Sequence, residues 1–305
     1  MSQRIRIAPP PRPALQQIVQ TALAEDLTYG DITSNILIEG TVQAQARIIA
    51  NQPLVVAGVL VAEEAFRQVD QTLQFTPHTT DGQYVSTTTP ILTISGSARS
   101  LLQGERVALN FFQRLSGIST FTYKCCQAIK GYNTILVDTR KTTPGLRVLE
   151  KWAVRLGGGH NHRSSLYDGV LIKDNHLAIL ATQRIEITQA CFQAKAHAPH
   201  GLKICVEVEN LNQVDQALEG KADIILLDNM TSEQVRKAIL RIKGRALTEV
   251  SGGITLGNIQ AMAQAKPNFI SMGALTHSAP SMDISMEIFP LPKTRPTKIQ
   301  RRSNQ

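Results

Sequence analysis

The sequence predicts an α/β protein in which a small N-terminal α/β, sandwich-like domain precedes a β/α barrel. Three observations lead there. Six short apolar runs recur from Thr134 onward, each followed by a helical pattern, with starts 19 to 35 residues apart. Strand, turn, helix and turn fit that length, so the runs read as βα units of a parallel sheet. The N-terminal third lacks this rhythm and mixes helices with short strands. At 305 residues, a barrel plus a small domain fits the chain.

The elements follow in order. Ala14 to Glu25 places Leu15, Ile18, Val19, Ala22 and Leu23 on one helical face. Asp26 to Ser34 is polar around Gly30, a turn signal. Ala44 to Ala50 and Leu54 to Ala57 read as strands, Val61 to Val69 as a helix, and Phe75 to Ser95 as short strands. Leu101 to Leu115 is helical, and Thr120 to Ile129 reads as a second helix. The barrel runs are Thr134–Val137, Gly169–Ile172, Lys203–Val206, Ala222–Leu227, Leu247–Val250 and Asn268–Ile270. They are near-continuously apolar, as strands covered on both faces are. Six units suggest a barrel, which that number leaves open to being incomplete. The expected domains are 1–115, joined by a returning segment and basic tail at 276–305, and the barrel at 116–275.

Composition narrows the function classes. Hydrophobic residues are 42% and charged residues 18%, enough for a large core. The net charge of +8 sits at the ends. Arg4, Arg6 and Arg12 at one end and Lys293, Arg295, Lys298, Arg301 and Arg302 at the other account for all of it, so the body is neutral. A nucleic-acid-binding face on the body is not demanded, and the ends read as solvated tails. There is no apolar segment of signal-peptide or membrane-spanning type. Cys125, Cys126, Cys191 and Cys205 suit neither a disulfide framework nor a zinc site, so reduced thiols and a cytoplasmic protein are expected. No Gly-rich dinucleotide or P-loop motif follows a strand.

The strand ends carry the chemistry. The runs close in Asp138-Thr139-Arg140-Lys141, Lys173-Asp174-Asn175, Glu207 with Glu209 and Asn210, Asp228-Asn229, Ser251-Gly252-Gly253 and Ser271-Met272-Gly273. A barrel gathers its strand C-termini on one face, where catalytic residues lie. Arg140, Lys141 and Lys173, with His160, His162 and Arg163 from the first long loop, suit carboxylates and phosphates. Glu207 and Asp228 fit either counter-ions or ligands of a divalent ion such as Mg²⁺. The two small-residue turns fit a phosphate cradle, although a turn glycine alone explains each. His160 and His162 read as hydrogen-bonding groups more than as metal ligands. Lys173 also fits a Schiff-base lysine, as in an aldolase.

Eight collinear segments resemble the quinolinate phosphoribosyltransferases. They are EDLTYGDITS (25–34), GERVALNFFQRLSGIST (104–120), DTRKTTPGLR (138–147), GGGHNHRSSLYDGVLIKDNH (157–176), VEVEN (206–210), LLDNM (226–230), EVSGGIT (249–255) and SMGALTHS (271–278). The resemblance implies a type II phosphoribosyltransferase-like fold and a homodimer with shared active sites. It implies transfer of phosphoribose from 5-phosphoribosyl 1-diphosphate to quinolinate with loss of CO₂, using Mg²⁺, in NAD biosynthesis. By position, Arg140, His162, Arg163 and Lys173 would line the quinolinate site, with Arg106 supplied by the partner subunit, and Thr139 would also bind substrate. Lys141, Glu207 and Asp228 would serve as catalytic groups at the ribose, the diphosphate or its metal. Ser251, Gly252, Gly253, Ser271, Met272 and Gly273 would hold the phosphate. A related barrel phosphoribosyltransferase with a changed substrate is the alternative within this fold.

Overall fold

A computed structural model describes residues 7–292. The tail cations Arg4, Arg6, Lys293, Arg295, Lys298, Arg301 and Arg302 lie outside the described residues; Arg12 opens the first helix. The chain divides into two compact units, residues 15–113 with the chain from Asp283, and residues 114–282 with the first fourteen.

The first unit is built in chain order from α1 (Arg12–Leu27), α2 (Ile32–Leu37), β1 (Gln43–Ala50), β2 (Leu54–Val55), α3 (Val59–Val69), β3 (Gln74–Pro77), β4 (Tyr84–Val85), β5 (Thr89–Ser97) and the first half of α4 (Ala98–Ala128). α1 buries Leu15, Val19 and Leu23, spaced four residues apart on one stripe. β1 alternates strictly, with Ala44, Ala46, Ile48 and Ala50 turned inward. It sits inside an antiparallel sheet between β5 and the last strand among the described residues (Ile284–Pro290), with β3 beyond β5. α2 falls where the sequence reads as a turn. Asp31 makes the helix by accepting from the Ser34 N–H at 2.9 Å, a side-chain cap on a six-residue segment.

The two helices expected at 101–129 are a single helix, α4, of 31 residues. Gly117 does not break it. A Cβ there would come within 2.1 Å of the Pro280 carbonyl oxygen, so the glycine admits a neighbouring backbone rather than a turn.

The second unit repeats strand and helix: β6 (Ile135–Val137), α5 (Arg147–Leu156), β7 (Val170–Ile172), α6 (Asp174–Thr182), α7 (Ile187–His197), β8 (Ile204–Val208), α8 (Leu211–Glu219), β9 (Ile224–Asp228), α9 (Ser232–Ile242), β10 (Leu247–Ser251), α10 (Ile259–Gln264), β11 (Phe269–Ser271) and α11 (Ala274–His277). The returning strand is β12. The six strands form one sheet in the order β6-β11-β10-β9-β8-β7, and every pairing is parallel. β8 is buried along its whole length, Glu207 included. The sheet is consistent with an incomplete barrel. At the β6 edge, His160 makes a parallel bridge to Val137, its N–H donating to the Leu136 carbonyl at 2.9 Å.

Candidate active site

Parallel register brings the strand ends together. Ser251 stands beside Asp228, Ser271 beside Val137, and Ile172 beside Val206. The last pairing makes Lys173 a neighbour of Glu207, and the Lys173 ammonium donates to Glu207 Oε2 at 3.1 Å. Burial pushes the Glu207 carboxyl above the ordinary glutamate value; Lys173 opposes that rise, and the charge of Asp228 adds to it. Glu207 and Asp228 therefore sense one another across adjacent strands. Asp228 Oδ2 also accepts from Asn229 Nδ2 at 2.5 Å.

The cations converge on a second point. Burial lowers the Arg163 guanidinium pKa, and the neighbouring charge of Arg140 lowers it further. The charge of Asp168 opposes that fall at Arg163. Arg140 Nε and Nη1 are buried and hydrogen-bonded to nothing among the described residues. Buried donors of that kind carry a large desolvation cost unless a ligand satisfies them. Arg163 Nη1 is anchored to the Gly169 carbonyl at 2.9 Å. His162 Nδ1 accepts from the Arg163 N–H at 2.8 Å, so the ring proton of neutral His162 sits on Nε2, which faces Glu249 Oε2 at 3.5 Å. Thr139 Oγ1 accepts from the Lys141 N–H at 3.0 Å and shapes the turn between the two cations Arg140 and Lys141.

The small-residue turns divide. Gly252 has φ +86°, and a Cβ there would lie 2.2 Å from Asn229 Oδ1 and 2.6 Å from Asn229 N. Only glycine fits, which keeps the chain after β10 against the end of β9. Gly253, at φ +59°, faces open space. A Cβ on Gly273 would lie 3.0 Å from Lys141 Cδ and 3.1 Å from His277 Nε2, so the Lys141 stem crosses this glycine. Ser271 and Met272 are more enclosed. The Ser271 hydroxyl donates to the Val250 carbonyl at 3.4 Å, the Met272 N–H donates to the Val137 carbonyl, and the Met272 side chain packs on Cys125. The open part of the cradle is glycine backbone at 252, 253 and 273, with the Lys141 stem beside it.

Other polar groups have structural tasks. Asn210 caps α8 by accepting from the Gln213 N–H at 3.0 Å, and the Glu209 N–H donates to Gln213 Oε1. Among the described residues no group of three or more His, Cys, Asp or Glu could hold a metal. The four cysteines are unpaired, and burial pushes the Cys126 and Cys191 thiols up to about 11. Lys173 is engaged by a carboxylate, whereas a Schiff-base lysine needs a free amine. Arg106 is exposed on α4 in the first unit.

Sequence reasoning missed four charged residues. Glu249 is buried in β10 beside His162, with Oε1 unpartnered. Arg114, Glu150 and Lys151 brace the loops that carry the cations. The one available signal was a carboxylate within an apolar strand at Glu249; the helical charges looked like an ordinary solvated face.

Fold and site together define a two-domain β/α-barrel enzyme for anionic substrates, with a pair of guanidiniums at one place and a glycine cradle near carboxylates at another. The chain matches the family model "Quinolinate phosphoribosyl transferase, C-terminal domain" over residues 118–287 and the corresponding N-terminal domain over 31–116. It belongs to the quinolinate phosphoribosyl transferase family. It is 41% identical over 274 residues to a probable nicotinate-nucleotide pyrophosphorylase [carboxylating] of Bacillus subtilis, covering 90% of this chain and 93% of that one. A probable nicotinate-nucleotide pyrophosphorylase [carboxylating] of Synechocystis is also 41% identical, covering 92% and 94%. The solved nicotinate-nucleotide pyrophosphorylase of Francisella tularensis superposes with a TM-score of 0.86 at 37% identity, covering 94% of this chain and 100% of that one.

Proposed function

We propose that this chain transfers phosphoribose from 5-phosphoribosyl 1-diphosphate to quinolinate and releases diphosphate and CO₂, forming nicotinate mononucleotide for NAD biosynthesis. The observation that carries this reading is the Arg140–Arg163 pair, with the buried Arg140 donors unpartnered. A planar dicarboxylate offers the two anions such a pair needs, and guanidinium forks bind carboxylates bidentately.

The proposed roles follow the geometry. Arg140 and Arg163 bind and orient quinolinate, with Thr139, His162 and Lys173 around it. Gly252, Gly253 and Gly273, with Ser251, Ser271 and Met272 shaping their turns, cradle the phosphate. Lys141, whose stem crosses Gly273, neutralises charge growing on the departing diphosphate. Glu207 and Asp228 are oxygen ligands on adjacent strands, a set that fits an ion held by one or two carboxylates plus substrate phosphates. Mg²⁺ bound there would draw off negative charge from the leaving group. The pyridine nitrogen attacks the anomeric carbon as the carbon–oxygen bond to diphosphate breaks. The resulting pyridinium accepts the electron pair left when the carboxylate beside the nitrogen departs as CO₂, and a proton takes that position. Positioning and fixed charge carry the rate, and no covalent enzyme intermediate is needed.

We further propose a homodimer in which Arg106 of one subunit completes the quinolinate site of the other. Exposed apolar surface supports a partner. α6 buries none of its residues although its sequence is DNHLAILAT, and Leu166, Tyr167 and Ile179 are 75%, 85% and 64% exposed. In the first unit, Tyr29, Ile32, Ile36 and Leu37 are similarly exposed. The proposed compartment is the cytoplasm, which suits four unpaired cysteines. No helix among the described residues is long and apolar enough to cross a membrane.

Mixed dimers test the shared site. Arg106→Ala and Arg140→Ala are each expected to abolish activity, and mixing them should restore part of it, because one of the two sites in a mixed dimer is then intact. Mixed dimers that form normally and stay inactive would refute the shared site.

A further inference from the structure

α5 carries three charged side chains toward the rest of its own unit, and none has been given a task in the reaction. Glu150 and Lys151 are buried despite their charge. Such burial is costly unless every charge is paired and hydrogen-bonded. Here each is, and the partners lie in the loops that carry the proposed substrate groups.

Lys151 serves one side. Its ammonium donates to Asp138 Oδ1 and to the His162 carbonyl, the latter at 2.9 Å. Asp138 in turn accepts from the His162 N–H at 2.8 Å and from Asn161 Nδ2 at 2.6 Å. Asp138 stands immediately before Thr139 and Arg140, and His162 immediately before Arg163. The pair therefore ties together the two segments that bear the guanidiniums. Arg147, at the start of the same helix, adds bonds to the Ser164 carbonyl at 3.0 Å and to Thr142 Oγ1 at 2.9 Å.

Glu150 serves the other side. Its oxygens accept from the Thr143 N–H at 3.1 Å, the Thr143 hydroxyl at 2.8 Å and Arg114 Nη2 at 2.8 Å. Arg114 also donates to the Thr276 and Ala279 carbonyls. The Thr276 hydroxyl closes the circuit by donating to the Lys141 carbonyl at 2.7 Å. This chain of bonds joins the loop after β6 to the loop after β11, where the Lys141 stem crosses Gly273.

We propose that Lys151 and Glu150 are positioning residues with separate duties: Lys151, through Asp138, sets the spacing of Arg140 and Arg163 for the dicarboxylate, and Glu150, through Arg114 and Thr276, sets Lys141 against Gly273 for the phosphoribosyl donor. The proposal rests on the substrate roles assigned above. Adjacent residues on a helix point about 100° apart, so neighbouring charges reach different loops while sharing one rigid frame. Displacements of about 1 Å at such loops cost on the order of a hundredfold in rate.

Steady-state kinetics of the full-length enzyme separate the two duties. Lys151→Met is expected to raise the KM for quinolinate about ten- to a hundredfold while the donor KM moves less than about twofold. Glu150→Gln is expected to do the reverse. Equal effects of both variants on both substrates, or a fall in kcat alone, would overturn the proposal. Should Lys151→Met fail to fold because Asp138 loses its counter-charge, the Asp138→Asn/Lys151→Met double variant removes both charges. It too should raise only the quinolinate KM, and a normal quinolinate KM in it overturns the proposal. Binding of quinolinate and of 5-phosphoribosyl 1-diphosphate to Arg140→Ala and Lys141→Ala, followed by titration calorimetry, reports on the underlying assignment. Should these two fail to show the same division between quinolinate and donor, the substrate roles are at fault; should they show it while the α5 variants do not, the positioning duties are.

Discussion

Replacing Gly252 with alanine gives the sharpest local test of the phosphate cradle. At Gly252 the backbone has φ +86°, and a methyl group would press within 2.2 Å of Asn229 Oδ1 and 2.6 Å of its backbone nitrogen. A left-handed alanine costs about 1–2 kcal/mol. The Asn229 N–H donates to the Ser251 carbonyl at 3.1 Å, and displacing Asn229 weakens that bond at a further cost of about 1 kcal/mol. Asn229 also holds Asp228, so the disturbance reaches a proposed metal ligand. If the resulting strain of about 2–3 kcal/mol falls on donor binding, affinity drops about thirty- to one-hundred-and-fiftyfold. At Gly253 the same methyl meets no protein atom within 4 Å, so the left-handed strain costs about fivefold if it is near 1 kcal/mol, and any larger loss comes from crowding the phosphate itself. Titration calorimetry with 5-phosphoribosyl 1-diphosphate, alongside circular dichroism to verify folding, measures both. Normal donor binding by Gly252→Ala would refute the cradle.

Three further outcomes are expected. Arg163→Lys should raise the quinolinate KM tenfold or more, since a point charge replaces a bidentate fork and loses about 1.5–3 kcal/mol; wild-type affinity would contradict that role. Glu207→Ala and Asp228→Ala should each raise the Mg²⁺ concentration needed for half-maximal rate at fixed donor, and an unchanged metal titration would remove them as ligands. Asp81 caps α3 by accepting from the Gly58 N–H at 2.6 Å and the Val59 N–H at 3.0 Å, while burial pushes its carboxyl up to about 6. A carboxyl that binds its proton more tightly folded than unfolded makes stability fall as pH rises from about 4 to about 6, then level off. Asp81→Asn should remove that slope and keep the two bonds to Oδ1, whereas Asp81→Ala should cost about 1–2 kcal/mol by thermal unfolding.

Much of this fold is written in short-range patterns. The six strands of the second unit fall within a few residues of the apolar runs, because a parallel strand covered on both faces is apolar over most of its length. α2 escaped because one side-chain cap at Asp31 creates it, and the two helices expected at 101–129 are one because Gly117, lying between them, admits the Pro280 backbone instead of a turn. The charged strand ends were equally legible. Pairing was not: which cation meets which carboxylate depends on register, so Lys173 with Glu207 and Arg140 near Arg163 emerge only from the folded sheet. Glu150 and Lys151 were invisible for a related reason. Their sequence neighbourhood is that of an ordinary amphipathic helix, and only three-dimensional contact shows that they face inward.

The account stands or falls on the reaction itself. Purified enzyme with quinolinate, 5-phosphoribosyl 1-diphosphate and Mg²⁺ should release CO₂ and nicotinate mononucleotide in equal amounts, with nicotinic acid giving no product in place of quinolinate. Nucleotide formed from nicotinic acid, or none formed from quinolinate by folded enzyme, would contradict it.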